Sequence, residues 1–422
     1  MSDKIKYNFG GDDFILPYDR FKDFKCSKHS WDEMYQHIFV VKSTDENYKY
    51  HLWFVEPDFL FCNEPGDSQT EEYLKKILPP VKDTWDDERL WVVIDRRTEA
   101  LTEISAQDYL EVICNLGYNK DRIKFLSSSY EPGTLTVHFC WELFIRALRF
   151  RLPDNKFGEK FAEMDRGINW EYYEEHEDDT QYKKWLLDLD SPKLLEKRPY
   201  TFLNYNGTLP YHKLALLSEI HRRKLEKYFL LSATNRDGTP IDDLKERLYQ
   251  FNPDADGKIF DLLPIYLDIT KDMDSDLSSF RHGKYTSEIG NSNPKKIHYN
   301  QTYFSVISET SFDDARLVGD PWKAMILHPF ILNAGAGSLK LFKLFGFKSF
   351  PNVFDESYDV IEDNLERSKF IIKEIERVCL MGENEKHKLY SESIPIMKYN
   401  QKHLCNFDVE DMVFNIFNQL VK

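Results

Sequence analysis

The residues best suited to chemistry begin with a short run, Ala334-Gly335-Ala336-Gly337-Ser338, set between an apolar stretch and a helical one. Glycine lets a backbone approach a ligand closely, and the free N–H groups of a helix start can hold phosphate or sugar oxygens. A bare turn with Ser338 as helix cap would give the same text. The second candidate is Asn204-Tyr205-Asn206-Gly207, followed by His212 and Lys213 at another helix start. Side chains there would emerge at the carboxyl edge of a parallel sheet, where open α/β folds bind ligands. The plainer alternative is a turn with a solvated His-Lys pair. Ser308-Glu309-Thr310 follows a third apolar run and points to the same edge. In the first half, Asp95 and Glu99 follow the clearest apolar run, within DRRTEA. A carboxylate at such an edge can act as general base on an acceptor hydroxyl, unless Arg96 and Arg97 simply neutralise it.

Other acidic strings say less. Asp188 with Asp190, and Asp272 with Asp274, have the two-carboxylate spacing that can hold a divalent metal, but neither pair follows a convincing buried strand. Asp254, Asp256 and Gly257 read as a turn, because the remaining ligands of a calcium loop are missing. No Walker sequence, GxSxG or HExxH occurs, so several enzyme classes lose their usual support.

The elements that must position these residues alternate. Residues 37–41 and 50–55 read as strands and 71–77 as a short helix. RLWVVID at 89–95 is a continuous apolar run, as expected of a parallel strand buried on both faces. A helix over 105–116 stops at Gly117, and RIKFLS at 122–127 is the next strand, completing a βαβ unit. Residues 151–198 are charged and aromatic, and their acidic run at 171–179 reads as a solvated insertion or linker. Alternation then restarts. Strands are expected at 200–205, 229–232, 303–307 and 330–333, and a helix at 212–227 with Thr208 as its cap and Pro210 in its first turn. Residues 236–300 suggest loops with one or two helices. A further helix opens near Ser338 and stops at Gly346; Asp363 and Glu366 frame a capping box for a helix through Val378; 409–421 reads as an amphipathic terminal helix.

A chain of 422 residues exceeds one ordinary core, so two domains of roughly 150–200 residues are expected. The reading places an N-terminal Rossmann-like domain at 1–190, a second at 191–380, and a C-terminal helical segment at 381–422 packing back on the first. A net charge of −16 argues against nucleic acid as the main partner, since phosphate backbones are bound by clustered Lys and Arg. The six cysteines form no CxxC pair and no zinc-like spacing, which suits reduced core thiols in the cytoplasm. The start lacks a signal-peptide core, and no run approaches the ~20 apolar residues of a membrane span.

Two blocks carry a resemblance. YTFLNYNGTLPYHKLALLSEIHRRKLEKYFLLS at 200–232 comes first. FSVISET, WKAMILHPFIL, GAGSLKLFKLFGFKSF and FDESYD follow in order between 304 and 359. Together they resemble glycosyltransferase-like proteins of phages and large viruses, distantly similar to the nucleotide-sugar domain of α1,3-fucosyltransferases. The resemblance implies an α/β protein with two Rossmann-like domains facing a cleft (GT-B). It implies an inverting, metal-independent transfer of a sugar, without further cofactor, to a glycan or protein acceptor, in host cytoplasm if the source is viral. The nucleotide sugar would touch Asn204, His212, Lys213, Glu309, Lys323, Gly335, Gly337 and Ser338, with Glu99 or Asp95 as base. The chain departs from the family at three places. Val318-Gly319-Asp320 stands where Thr-Glu-Lys is usual, Lys213 where Arg is usual, and Tyr205-Asn206-Gly207 in place of a basic turn. These losses of cationic contacts also suit a catalytically inactive relative kept as a binding or structural protein.

Overall fold

The computed structural model describes residues 5–9, 12–16, 24–29, 49–55, 74–75, 78, 81, 88–96, 103–128, 130, 135–138, 140, 143, 147, 189, 195–235, 238–265, 296–317 and 328–422. The chain divides into two compact units, Met1–Glu175 with Phe407–Lys422, and His176–Asn406. The expected boundary near 190 therefore falls earlier. Of the expected terminal segment, only the part from Phe407 onward groups with the first unit.

In the first unit β1 (Ile5–Phe9) and β2 (Asp12–Leu16) form an antiparallel pair. Five further strands make a parallel sheet in sequence order: β3 (Phe24–His29), β4 (Tyr50–Val55), β5 (Leu90–Arg96), β6 (Ile123–Ser127) and β7 (Thr136–His138). β5 is the expected apolar run, and Val92, Val93 and Ile94 are all buried. Between β5 and β6 lies α1 (Glu103–Asn115), which packs Ala106 and Ile113 onto Val92, Ile94 and Phe125. Gly117, at φ +98°, ends the turn after α1, a conformation costly for residues with a Cβ. The expected strand at 37–41 and most of the helix at 71–77 lie outside the described residues. β1 to β3 have no counterpart in the sequence reading.

The second unit begins with β8 (Tyr200–Asn206), followed by α2 (Tyr211–Arg222), β9 (Phe229–Ala233) and α3 (Ile241–Phe251). Then come α4 (Lys296–Gln301), β10 (Thr302–Ser308), β11 (Phe330–Asn333) and α5 (Ser338–Leu344). α6 (Asn364–Leu380) and α7 (Glu383–Cys405) complete it, and α8 (Val409–Leu420) belongs to the first unit. All four strands are parallel, in the order β11-β10-β8-β9. β8 and β10 are central and almost wholly buried, which explains why their text is apolar without alternation. Phe202, Phe229, Phe304 and Phe354 pack ring on ring across this sheet.

α2 differs from expectation at both ends. Pro210, not Thr208, holds the N-cap position, and it offers no side-chain bond. The helix stops at Arg222 because Lys224 turns left-handed at φ +56°, letting Leu225 N–H bond back to the Ile220 carbonyl at 3.0 Å. No glycine announces that stop. α6 is capped as expected, Asp363 accepting from the Glu366 N–H at 2.8 Å.

Candidate functional site

The order β11-β10-β8-β9 reverses direction between β8 and β10. The chain leaves β8 toward β9 on one side and later returns to lay β10 on the other. Successive loops diverge at such a reversal and leave a crevice at the carboxyl ends, the usual ligand position in open α/β sheets. The five parallel strands described in the first unit run in sequence order and contain no such reversal. The loops at issue are 207–210, after β8, and 309–317, after β10.

Asn204 lies inside β8, because the strand runs on to Asn206. Its Nδ2 donates to the Val306 carbonyl of β10 at 2.8 Å, and its Oδ1 accepts from Asn206 Nδ2 at 2.6 Å. Both ends of that amide are thus used within the protein. Asn206 donates also to the Ser232 carbonyl at 3.2 Å, tying β8 to β9. The Oδ1 of this buried Asn206 has no partner among the described residues.

His212 opens α2 and is fully buried. Its Nε2 lies 2.8 Å from the Glu309 carbonyl oxygen. A carbonyl only accepts, so Nε2 carries the proton and Nδ1 keeps its lone pair. The ring stacks on Phe312, with centroids 5.0 Å apart and planes 8° from parallel. Burial, then the positive field of Lys213, pushes the imidazole pKa down to about 3. His212 is therefore neutral, and contributes no charge to an anionic ligand. Its Nδ1 has no partner among the described residues. Lys213 and Glu309 are buried beside it, at 5% and 1% exposure. Through His212 and Glu309 the 207–210 and 309–317 loops are bound to each other.

The Gly335–Ser338 run is arranged differently from its sequence reading. A Cβ on Gly335 would lie 2.0 Å from the Asp314 carbonyl oxygen, so glycine is needed there for the approach of the chain's own loop. Gly337 is left-handed at φ +84°, and its N–H donates to the Asp359 carbonyl at 2.8 Å. Ser338 Oγ accepts from the Arg316 N–H at 3.2 Å. The next N–H groups of α5, on Leu339 and Lys340, both donate to the carboxylate of Asp359, each at 2.8 Å. Burial raises the Asp359 pKa, opposed by those two bonds. A carboxylate of the protein thus holds the donors that the sequence assigned to a ligand.

Around this edge stand groups that sequence reasoning missed. Arg367, 1% exposed, donates to the carbonyls of Ala334 at 3.0 Å and Ile361 at 2.6 Å and also to that of Phe312. Its guanidinium lies 4.2 Å from the Phe312 ring centroid. One side chain so fixes the loops after β10 and β11 together with the approach to α6. Arg316 pairs with Asp314 at 2.8 Å. Asp359 stood within FDESYD, where its spacing from Ser338 gave no signal of capping.

The remaining candidates are more distant. Asp95 lies in β5 opposite Leu126, one residue from the strand end. Glu99, Lys323, Gly319, Asp320 and both DxD-like pairs, except Leu189 between Asp188 and Asp190, lie outside the described residues. Asp256 caps a single turn at Gly257–Asp261, in agreement with the turn reading. Among the described residues no group of three or more His, Cys, Asp or Glu could hold a metal ion. Among them, too, no helix is long and apolar enough to cross a membrane.

No protein-family model matches the chain, and no curated protein matches it. Among solved structures, the N-terminal domain of Candida albicans trehalose-6-phosphate phosphatase is similar at 8% identity and a TM-score of 0.33. That match covers 88% of this chain and 71% of the other.

Proposed function

We propose that this chain is an inverting, metal-independent glycosyltransferase of the GT-B kind, holding a nucleotide sugar at the carboxyl edge of the second sheet. The reversal of strand order between β8 and β10 carries the reading, because it brings the 207–210 and 309–317 loops to one crevice. Lys213 and Lys323 would balance the departing diphosphate, while Asn206 and His212, each with an acceptor unpartnered among the described residues, would take hydrogen bonds from the nucleotide or sugar. Asn204, Gly335, Gly337 and Ser338 would hold the loops in shape. The hydroxyl acceptor, on a glycan or protein, would meet Glu99 or Asp95 of the first unit as base.

A second reading is a catalytically inactive relative kept for binding or structure. Asp359 favours it, since its carboxylate occupies the α5 donors that a diphosphate would want. Calorimetry with uridine, guanosine and adenosine diphosphates and their sugars separates the two. The transferase reading expects saturable binding by one of them, weakened about tenfold or more by Lys213→Ala, the size of a lost charge-assisted bond. A melting curve would verify that the variant is folded. Absence of binding by every member, with folded wild-type protein, would overturn the transferase reading in favour of the second.

A further inference from the structure

A cavity of about 480 Å³ lies in the second unit, lined by none of the β8–β10 crevice residues, between the 351–356 segment and the corner joining α6 to α7. Its size falls in the range of sites that hold a few side chains or a small ligand. The base is apolar, with Val353, Met381 and Leu389. The rim is acidic, with Asp355, Glu356 and Glu385. Asp355 accepts from the Ser357 N–H at 3.0 Å and hydroxyl at 2.6 Å, and these bonds hold its pKa below the usual carboxylate value. Glu356 is balanced by Lys343 at 2.8 Å.

Among the described lining residues the cation is Arg377, and it is already committed. It binds the Glu374 carboxylate through two nitrogens and the Val353 carbonyl at 2.6 Å. Its pKa is raised first by Glu374, and also by the fields of Glu385 and Asp355. Those two carboxylates therefore stand near the same guanidinium from different elements, one on α7 and one on the 351–356 segment. Glu374 takes the direct contacts of Arg377 and Lys343 pairs with Glu356, so the lining, with three carboxylates to one guanidinium, keeps an excess of negative charge beside its apolar residues. An anion would meet that charge unfavourably. A lysine or arginine side chain would lay its methylenes on Met381 and Leu389 and keep its charged head at the rim.

We propose that this groove is a docking site for a partner segment that presents Lys or Arg between apolar residues. The pattern required is a cation on a long aliphatic stem, and charge complementarity selects the occupant. This surface is separate from the β8–β10 crevice, so the proposal stands whether or not a nucleotide sugar binds there.

Fluorescence anisotropy with a labelled nonapeptide alternating Leu and Arg tests it, beside the same peptide carrying Glu for Arg. Expected is saturable binding of the Arg peptide only. The pair Glu385→Gln and Asp355→Asn should weaken it about fivefold or more, from two partly exposed charge contacts. Asn at 355 retains the cap on the following turn. Leu389→Asp, at the base, should weaken it by removing the apolar support. The distant pair Asp242→Asn and Glu246→Gln should leave affinity unchanged, which separates docking from general attraction to a chain of net charge −16. Equal loss in the distant pair, no effect of the groove variants, or no saturable binding would each overturn the proposal.

Discussion

At the scale of single residues, His212 shows how a polar group can be placed at a ligand edge and yet carry no charge. Its Nε2–H is spent on the Glu309 carbonyl, and burial keeps its pKa at about 3. An unfolded histidine titrates near 6.5. Above that pH neither state binds a proton there, and the residue adds no pH dependence. As pH falls below about 6.5 only the unfolded chain gains the proton, so stability declines until about pH 3, by up to ~1.4 kcal/mol per pH unit. His328 is fully buried, its pKa lowered by desolvation first, and it adds a decline of the same sign. Denaturant titrations between pH 7.5 and 5 should show this fall in the wild type. His212→Gln, whose amide can still donate to Glu309, should lose about half of it. An unchanged slope in that variant would mean that the ring is protonated when folded.

At the scale of elements, β4 to β6 of the first sheet, all four strands of the second, and the starts or stops of α1, α5, α6 and α8 were legible in the sequence, whereas β3 and β7 were not. The signals were local: buried apolar runs, Gly117 and Gly346 in left-handed turns, and the Asp363 cap. What escaped was set by contacts distant in sequence. α2 ends without a glycine, and Arg367 gathers carbonyls from three loops. The candidate site was legible in part for the same reason. Spacing placed His212 at a helix start and Glu309 and Gly335 just past strands, but could not tell that His212 would bind Glu309 or that Gly335 would press on Asp314. The capping of α5 by Asp359 is the clearest case, and it is testable. Asp359→Ala would leave the Leu339 and Lys340 N–H groups without their acceptor, costing about 2–3 kcal/mol for one buried and one part-buried donor. Asp359→Asn keeps one acceptor oxygen and should cost less. Equal stability of wild type and the alanine variant in urea would show that water satisfies those donors.

For the whole molecule, the chain path makes a prediction of its own. It builds the first parallel sheet, passes through the entire second unit, and closes with α8 in the first. α8 packs on β7, and its Val409, Val413, Phe417 and Leu420 are at most 1% exposed. Four such side chains bury enough apolar area to contribute several kcal/mol, about 1.5–3 for each by transfer bookkeeping. Ending the chain after Asn406 should therefore weaken the first unit while the aromatic core of Phe202, Phe304 and Phe354 stays intact. Hydrogen exchange followed by mass spectrometry reads this directly. Amides of β5, β6 and β7 should lose protection in the truncated chain, and those of β8 and β10 should keep theirs. A uniform loss across both sheets would instead mean that the two units fold as one cooperative body. Retained protection in β7 would mean that α8 is not part of what stabilises it.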